Sequence, residues 1–174
     1  MEENISYYEN QFIKADSLIS ESKISEAKEM LEELLAQCPD FGKAHNHLGW
    51  IFHMKLSNYE KALYHYKLAM RFEPKYTASY LNFTYLLVDM GKFNQAKDHI
   101  EYTLRNVENA DHASYYSELG RIFEAEQDFS KSYRYYKKAA NYAYGNQFIE
   151  NMRTNMYRVK DKMSFIEKLK IAFI

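Results

Sequence analysis

The chain has 174 residues, 47% hydrophobic and 27% charged, with a formal net charge of −1, which suits one compact domain or one short repeat array. Five Gly and two Pro argue against a turn-rich β protein, and the single cysteine, Cys38, excludes an internal disulfide framework. No apolar run approaches the roughly 20 residues of a bilayer span, and the first residues, Met1-Glu2-Glu3-Asn4, lack the basic-then-apolar pattern of a secretory signal.

In chain order, the first predicted helix pair covers residues 8–41, with Ala15 and Leu18 followed by Ile24, Ala27, Leu31, Leu34 and Pro39. The second covers 42–76. Its first helix has Ala44, Leu48 and Phe52 four residues apart on one face, and Ala62, Tyr66 and Ala69 form the matching stripe on its second. Gly49 is small enough for a neighbouring helix to approach closely. Ser57-Asn58-Tyr59-Glu60 reads as the turn between them, with one residue more than the other pairs have. The third pair, 77–110, supplies Tyr80, Phe83, Leu87, Gly91, Phe93, Ala96, Ile100 and Thr103. The fourth, 113–146, supplies Tyr116, Leu119-Gly120, Phe123, Phe129, Ser132, Tyr136 and Ala139, after two extra residues near Ala110.

One small residue marks the register throughout. Ala27, Ala62, Ala96 and Ser132 are separated by 35, 34 and 36 positions, a period that signals stacked supersecondary units. Residues 147–174 follow as a capping helix with Phe148, Met152, Met156 and Val159 on one face. A second apolar pattern then runs through Phe165, Ile166, Leu169, Ala172 and Phe173. Charge is uneven along the chain. Residues 1–41 hold ten acidic and three basic side chains, while 147–174 hold three acidic and six basic.

The pattern of Leu-Gly and an aromatic on one helix, then a small residue, an aromatic and Ala on the next, resembles the tetratricopeptide repeat. The resemblance covers about residues 8–146 and implies an all-α, right-handed solenoid of helix-turn-helix units. The first unit departs from it, with Lys14-Ala15 in place of Leu-Gly.

The resemblance further implies a concave wall built from the first helix of each unit. Its positions hold Phe12 and Asp16, then Lys43, Asn46, His47, Trp50 and His53. The third unit contributes Ala78, Leu81, Asn82, Tyr85 and Asp89, and the fourth Ser117, Glu118, Arg121 and Glu124. Trp50 stands two residues from both Leu48 and Phe52, so a helix turns it away from their seam, a favourable place for a peptide anchor. The peptide-binding candidates are Asn46, Trp50, His53, Asn82, Tyr85 and Arg121. The two-carboxylate clamp known from some members of the family is not expected. In one register its basic and amide positions would hold Phe12, Asp16, His47, Ala78 and Asn82, and in the other Asn46, Trp50, Asn82, Ser114 and Glu118.

Motifs for chemistry are missing. His45 and His47 point to different faces of a helix, no paired Cys or His-Glu-x-x-His spacing exists, and no Gly-rich phosphate loop is present. The expectation is therefore a non-catalytic adaptor without metal or cofactor, binding a protein or peptide segment in the cytoplasm. The alternatives are a chaperone dedicated to an exported or assembling protein, or a regulatory partner of an enzyme. Nucleic acid and membrane are disfavoured as partners, and the C-terminal helices offer a surface for self-association.

Overall fold

The computed structural model describes residues 2–171, with side chains described for 6–169 and 171. The expected cap positions Ala172 and Phe173, and the side chain of Lys170, lie outside the described residues. The regular elements among the described residues are all helices: α1 (Glu2–Ser20), α2 (Ile24–Gln37), α3 (Gly42–Trp50) running into a π-helical turn (Ile51–Lys55), α4 (Tyr59–Phe72), α5 (Thr77–Asp89), α6 (Phe93–Asn106), α7 (His112–Ala125), α8 (Phe129–Tyr142), α9 (Asn146–Lys162) and α10 (Phe165–Ile171). This is the all-α helix-turn-helix architecture of the tetratricopeptide fold class. No helix among the described residues is long and apolar enough to cross a membrane.

Local chemistry sets the boundaries. The side chains of Asn58, Asp111 and Asp128 accept from the N–H groups of Lys61, Ser114 and Lys131 at 3.1, 3.3 and 3.0 Å, capping α4, α7 and α8. The first helix of each pair stops where one residue turns left-handed: Ser22, Ser57, Gly91 and Gln127 have φ of 63°, 50°, 68° and 63°. Lys23, Lys92 and Asp128 then donate their N–H groups to the carbonyls of Leu18, Leu87 and Phe123 at 2.8, 2.9 and 2.9 Å. The second pair closes one residue later, with Asn58 N–H on the Phe52 carbonyl at 2.8 Å. Its extra residue is held inside the helix, where Leu56 N–H bonds the Ile51 carbonyl at 3.1 Å, an i→i+5 closure. The repeat register alone places that residue in the turn. The widened helical turn absorbs it instead.

The chain divides into two compact units, one up to Leu86 and one from Leu87 onward. In the first, α1 pairs with α2 and α3 with α4, and α2 also packs on α3. Ala27, Leu31, Ala44, Leu48, Ile51, Ala62 and Ala69 lie fully buried or nearly so. In the second, α7 pairs with α8, which also carries α9 and α10. Each unit has a very close helix approach between a glycine and a tyrosine. A Cβ added at Gly49 would come within 2.6 Å of the Tyr66 ring, and one at Gly120 within 2.6 Å of the Tyr136 ring. Both rings are completely buried, so each glycine is the space its tyrosine fills.

On α9, Met152 and Val159 are buried against α8, with Phe148 and Met156 half-buried on the same face. The second apolar pattern is placed differently from expectation. Phe165, Ile166 and Leu169 are 76%, 65% and 48% exposed, whereas Met163 and Ile171 are the residues buried there. Helix α10 has only seven residues, so Ile171, together with Met163 just ahead of the helix, fixes which side faces α8.

Candidate functional site

In the first unit, α1, α3 and α5 present the side chains expected of a binding face. Across α1 and α3, His47 Nε2 lies 2.9 Å from Asp16 Oδ1, and its ring meets Phe12 edge-on at 4.6 Å. Lys43 donates to Glu9 at 2.8 Å and sits 3.9 Å from Glu73. Across α3 and α5, Asn82 Nδ2 donates to Asn46 Oδ1 at 3.0 Å, so the buried Asn46 carbonyl is satisfied. One turn farther along each of these helices stand Trp50 and Tyr85, both half-buried. The ammonium of Lys55 lies 5.1 Å from the centre of the Trp50 ring.

His53 occupies a different place. It is 5% exposed, and its ring packs edge-on against Tyr59 and Tyr66 of α4 at 5.8 and 6.4 Å. His53 stands one turn beyond Gly49 and shares the face that packs on Tyr66, so it points into the helix pair. Of the six sequence candidates, the structure brings Asn46, Trp50, Asn82 and Tyr85 together, sends His53 inward and leaves Arg121 in the second unit.

The opposite side of α3 holds a feature that sequence reading missed. His45 Nδ1 lies 3.0 Å from His65 Nδ1, and His45 Nε2 lies 3.0 Å from the Pro39 carbonyl. A carbonyl only accepts, so His45 carries its proton on Nε2 and its Nδ1 accepts from His65. Burial, with the neighbouring His45 adding to it, lowers His65 to about 4, and burial lowers His45 as well. The pair is therefore a neutral link between the two helices of one repeat.

The second unit uses charge instead. Arg121 donates to Glu118 and to Asp89, each at 2.8 Å. Burial raises the Glu118 carboxyl to about 7; the Arg121 charge opposes the rise and the Asp89 charge adds to it. Glu124 receives Arg158 at 3.0 and 2.7 Å, Lys162 at 2.9 Å and the Tyr136 hydroxyl at 3.0 Å. Burial acts to raise Glu124, but those hydrogen bonds outweigh it and hold the carboxyl at about 2. Glu124 thereby anchors α9 to α7. Among the described residues, no group of three or more His, Cys, Asp or Glu is placed to hold a metal ion.

A family model for the tetratricopeptide repeat matches residues 14–76 and 83–146. The chain belongs to the tetratricopeptide repeat family. Comparison with curated proteins gives no match. Among solved structures, this repeat protein is similar to PilW, a widely conserved type IV pilus biogenesis factor, with a TM-score of 0.70 and 15% identity over 89% of this chain and 76% of that one. It is similar to a thermophilic repeat protein of Thermus thermophilus, with a TM-score of 0.69 and 18% identity over 91% and 84% of the two chains. It is also similar to YrrB, a repeat protein with an unusual peptide-binding site, with a TM-score of 0.66 and 18% identity over 80% and 71%. At these identities the likeness is one of fold.

The repeat register explains why the imidazole link and the Glu124 anchor escaped notice. His45 and His65 are 20 residues apart, one on each helix of a single repeat, and Glu124 and Tyr136 are 12 apart in the same sense. Laying each repeat out as a pair of facing helices, instead of scanning for short motifs, would have set both pairs opposite each other.

Proposed function

We propose that this tetratricopeptide repeat protein is a non-catalytic interaction module that takes a peptide or protein segment on the α3–α5 face centred on Trp50 and Tyr85. The observation that supports this most is the position of Trp50: half-buried, one turn along from the Asn46–Asn82 bond, with Lys55 against its ring. A large aromatic held on a helix at low conformational freedom suits an anchor, and the neighbouring amides suit an extended backbone. The peptide-binding site named for YrrB is a property of that protein, and it adds weight to such a use of the fold.

The test begins with a photo-reactive residue in place of Tyr85, and a second one in place of Tyr64 on α4 as a control, in native extract. A partner captured at position 85 and not at 64 is then purified and its affinity measured. Trp50→Ala should weaken that affinity by roughly 2 kcal/mol or more while helical content stays the same. If Trp50→Ala instead unfolds the protein and the folded fraction binds normally, Trp50 belongs to the core and the reading fails. A partner that aggregates when isolated would make the module its chaperone.

A further inference from the structure

A second surface lies away from the Trp50 face, in the unit from Leu87 onward. Helices α8, α9 and α10 enclose a groove of about 410 Å³ lined by Tyr133, Arg153, Met156, Tyr157, Lys160, Asp161 and Lys168. Tyr133, Met156 and Tyr157 give it an apolar floor, and Tyr157 is 76% exposed. Three cations and one carboxylate share its rim.

The state of those cations decides what the groove fits. Several basic groups of this unit are paired: Arg158 and Lys162 with Glu124, Arg121 with Glu118 and Asp89, Lys97 with Glu126, and Lys131 with Asp128. At the groove, Arg153 bonds Glu150, but Lys160 and Lys168 have no carboxylate partner among the described residues. Two ammonium groups against the one carboxylate of Asp161 leave the rim of this apolar hollow net positive. We infer that this groove is a docking site for an acidic peptide segment, with one bulky apolar side chain on the Tyr133–Met156–Tyr157 floor and flanking carboxylates on Lys160 and Lys168. A concave site of this size, with Asp161 on its rim, suits a side chain better than a flat anionic membrane surface.

The test uses the full chain and a fluorescein-labelled peptide, Glu-Asp-Leu-Phe-Glu-Asp, followed by fluorescence anisotropy. Saturable binding is expected, weakening as salt rises. The double variant Lys160→Glu/Lys168→Glu should weaken it by about tenfold or more, through reversal of two rim charges. Tyr157→Ser should weaken it too, and a peptide with Lys in place of its acidic residues should not bind. These side chains are on the surface, and circular dichroism checks that each variant keeps its helices. Trp50→Ala should leave this binding unchanged, so the groove and the α3–α5 face stand or fall separately. The proposal is overturned if the acidic peptide does not bind, if the double variant binds it equally well, or if Trp50→Ala abolishes binding. It is also overturned if phosphatidylserine vesicles bind the protein through Lys160 and Lys168 while the peptide does not.

Discussion

The two units solve the same packing problem with different polar chemistry. Each sets a glycine of one helix against a fully buried tyrosine of its partner, Gly49 on Tyr66 and Gly120 on Tyr136. Around that contact the first unit joins its helices with two neutral imidazoles, and the second with carboxylates held by arginine, lysine and a tyrosine hydroxyl. The repeat period fixes size and apolarity at the seam. It leaves the polar positions beside the seam free, and those decide how each unit answers to pH.

The largest expected effect tests whether the seam is equivalent in both units. Ala62 and Ser132 occupy the same register position, and both are fully buried. Ala62→Leu should cost about 1–3 kcal/mol by overpacking. Ser132→Leu should cost about 1 kcal/mol more, because Ser132 Oγ donates to the Gly120 carbonyl at 2.8 Å. Urea unfolding of both variants measures the difference. Equal losses would show that the hydroxyl adds nothing to the second unit.

A smaller effect is expected at the α9 anchor. Glu124→Gln removes the charge that Arg158 and Lys162 share, and both of those side chains are about half exposed. After discounting for that exposure, the loss should be about 1 kcal/mol. It should appear as faster amide hydrogen exchange in α9, with α3 and α4 unchanged. Uniform acceleration across both units would remove the distinction between them.

The remaining effects are in pH dependence, and they have opposite signs. Burial depresses His65 to about 4 from its ordinary 6.5, so the first unit's contribution is fully present above 6.5 and lost as pH falls through about 4. Glu118 is raised to about 7 from 4.5, so its contribution is fully present below 4.5 and lost as pH rises through about 7. His65→Phe should flatten the acid-side loss of melting temperature, and Glu118→Gln the loss between 4.5 and 7, each by several degrees. Melting curves from about pH 3 to about pH 8 span both transitions and check both expectations. A His65→Phe variant that stays as acid-sensitive as the parent would mean that the imidazole link does not set the first unit's response.

How much of this was legible in the sequence depended on whether backbone geometry intervened. Ala27, Ala62, Ala96 and Ser132 predicted the seam because a rhythm of small residues at one repeat length needs only that helices touch, and all four are completely buried. The left-handed residues Ser22, Ser57, Gly91 and Gln127 keep the same spacing. His53 falls elsewhere because it stands four residues after Gly49 and so shares the face that packs on Tyr66, as Glu124, four after Gly120, reaches Tyr136. Phe165 and Ile166 turn outward because a helix of seven residues has too few apolar positions to declare its buried side. Glu118 lay on the expected wall, yet only 4% of it is exposed, and nothing in a single repeat shows which polar group the neighbouring helix will cover.

The widened turn after Trp50 also selects chemistry. In a regular α-helix, positions five apart point in clearly different directions, so Lys55 would stand well to the side of Trp50. Closing the helix on the fifth residue draws the two into register, and the ammonium comes to rest 5.1 Å from the indole centre. The widened turn thus keeps a resident cation on the aromatic. A partner that offered lysine or arginine to that ring would find the place taken and a like charge beside it, whereas an aliphatic or aromatic group can still use the uncovered edge. Replacing Lys55 with Ala would take the cation off the ring, exchanging a filter against cations for an open π surface.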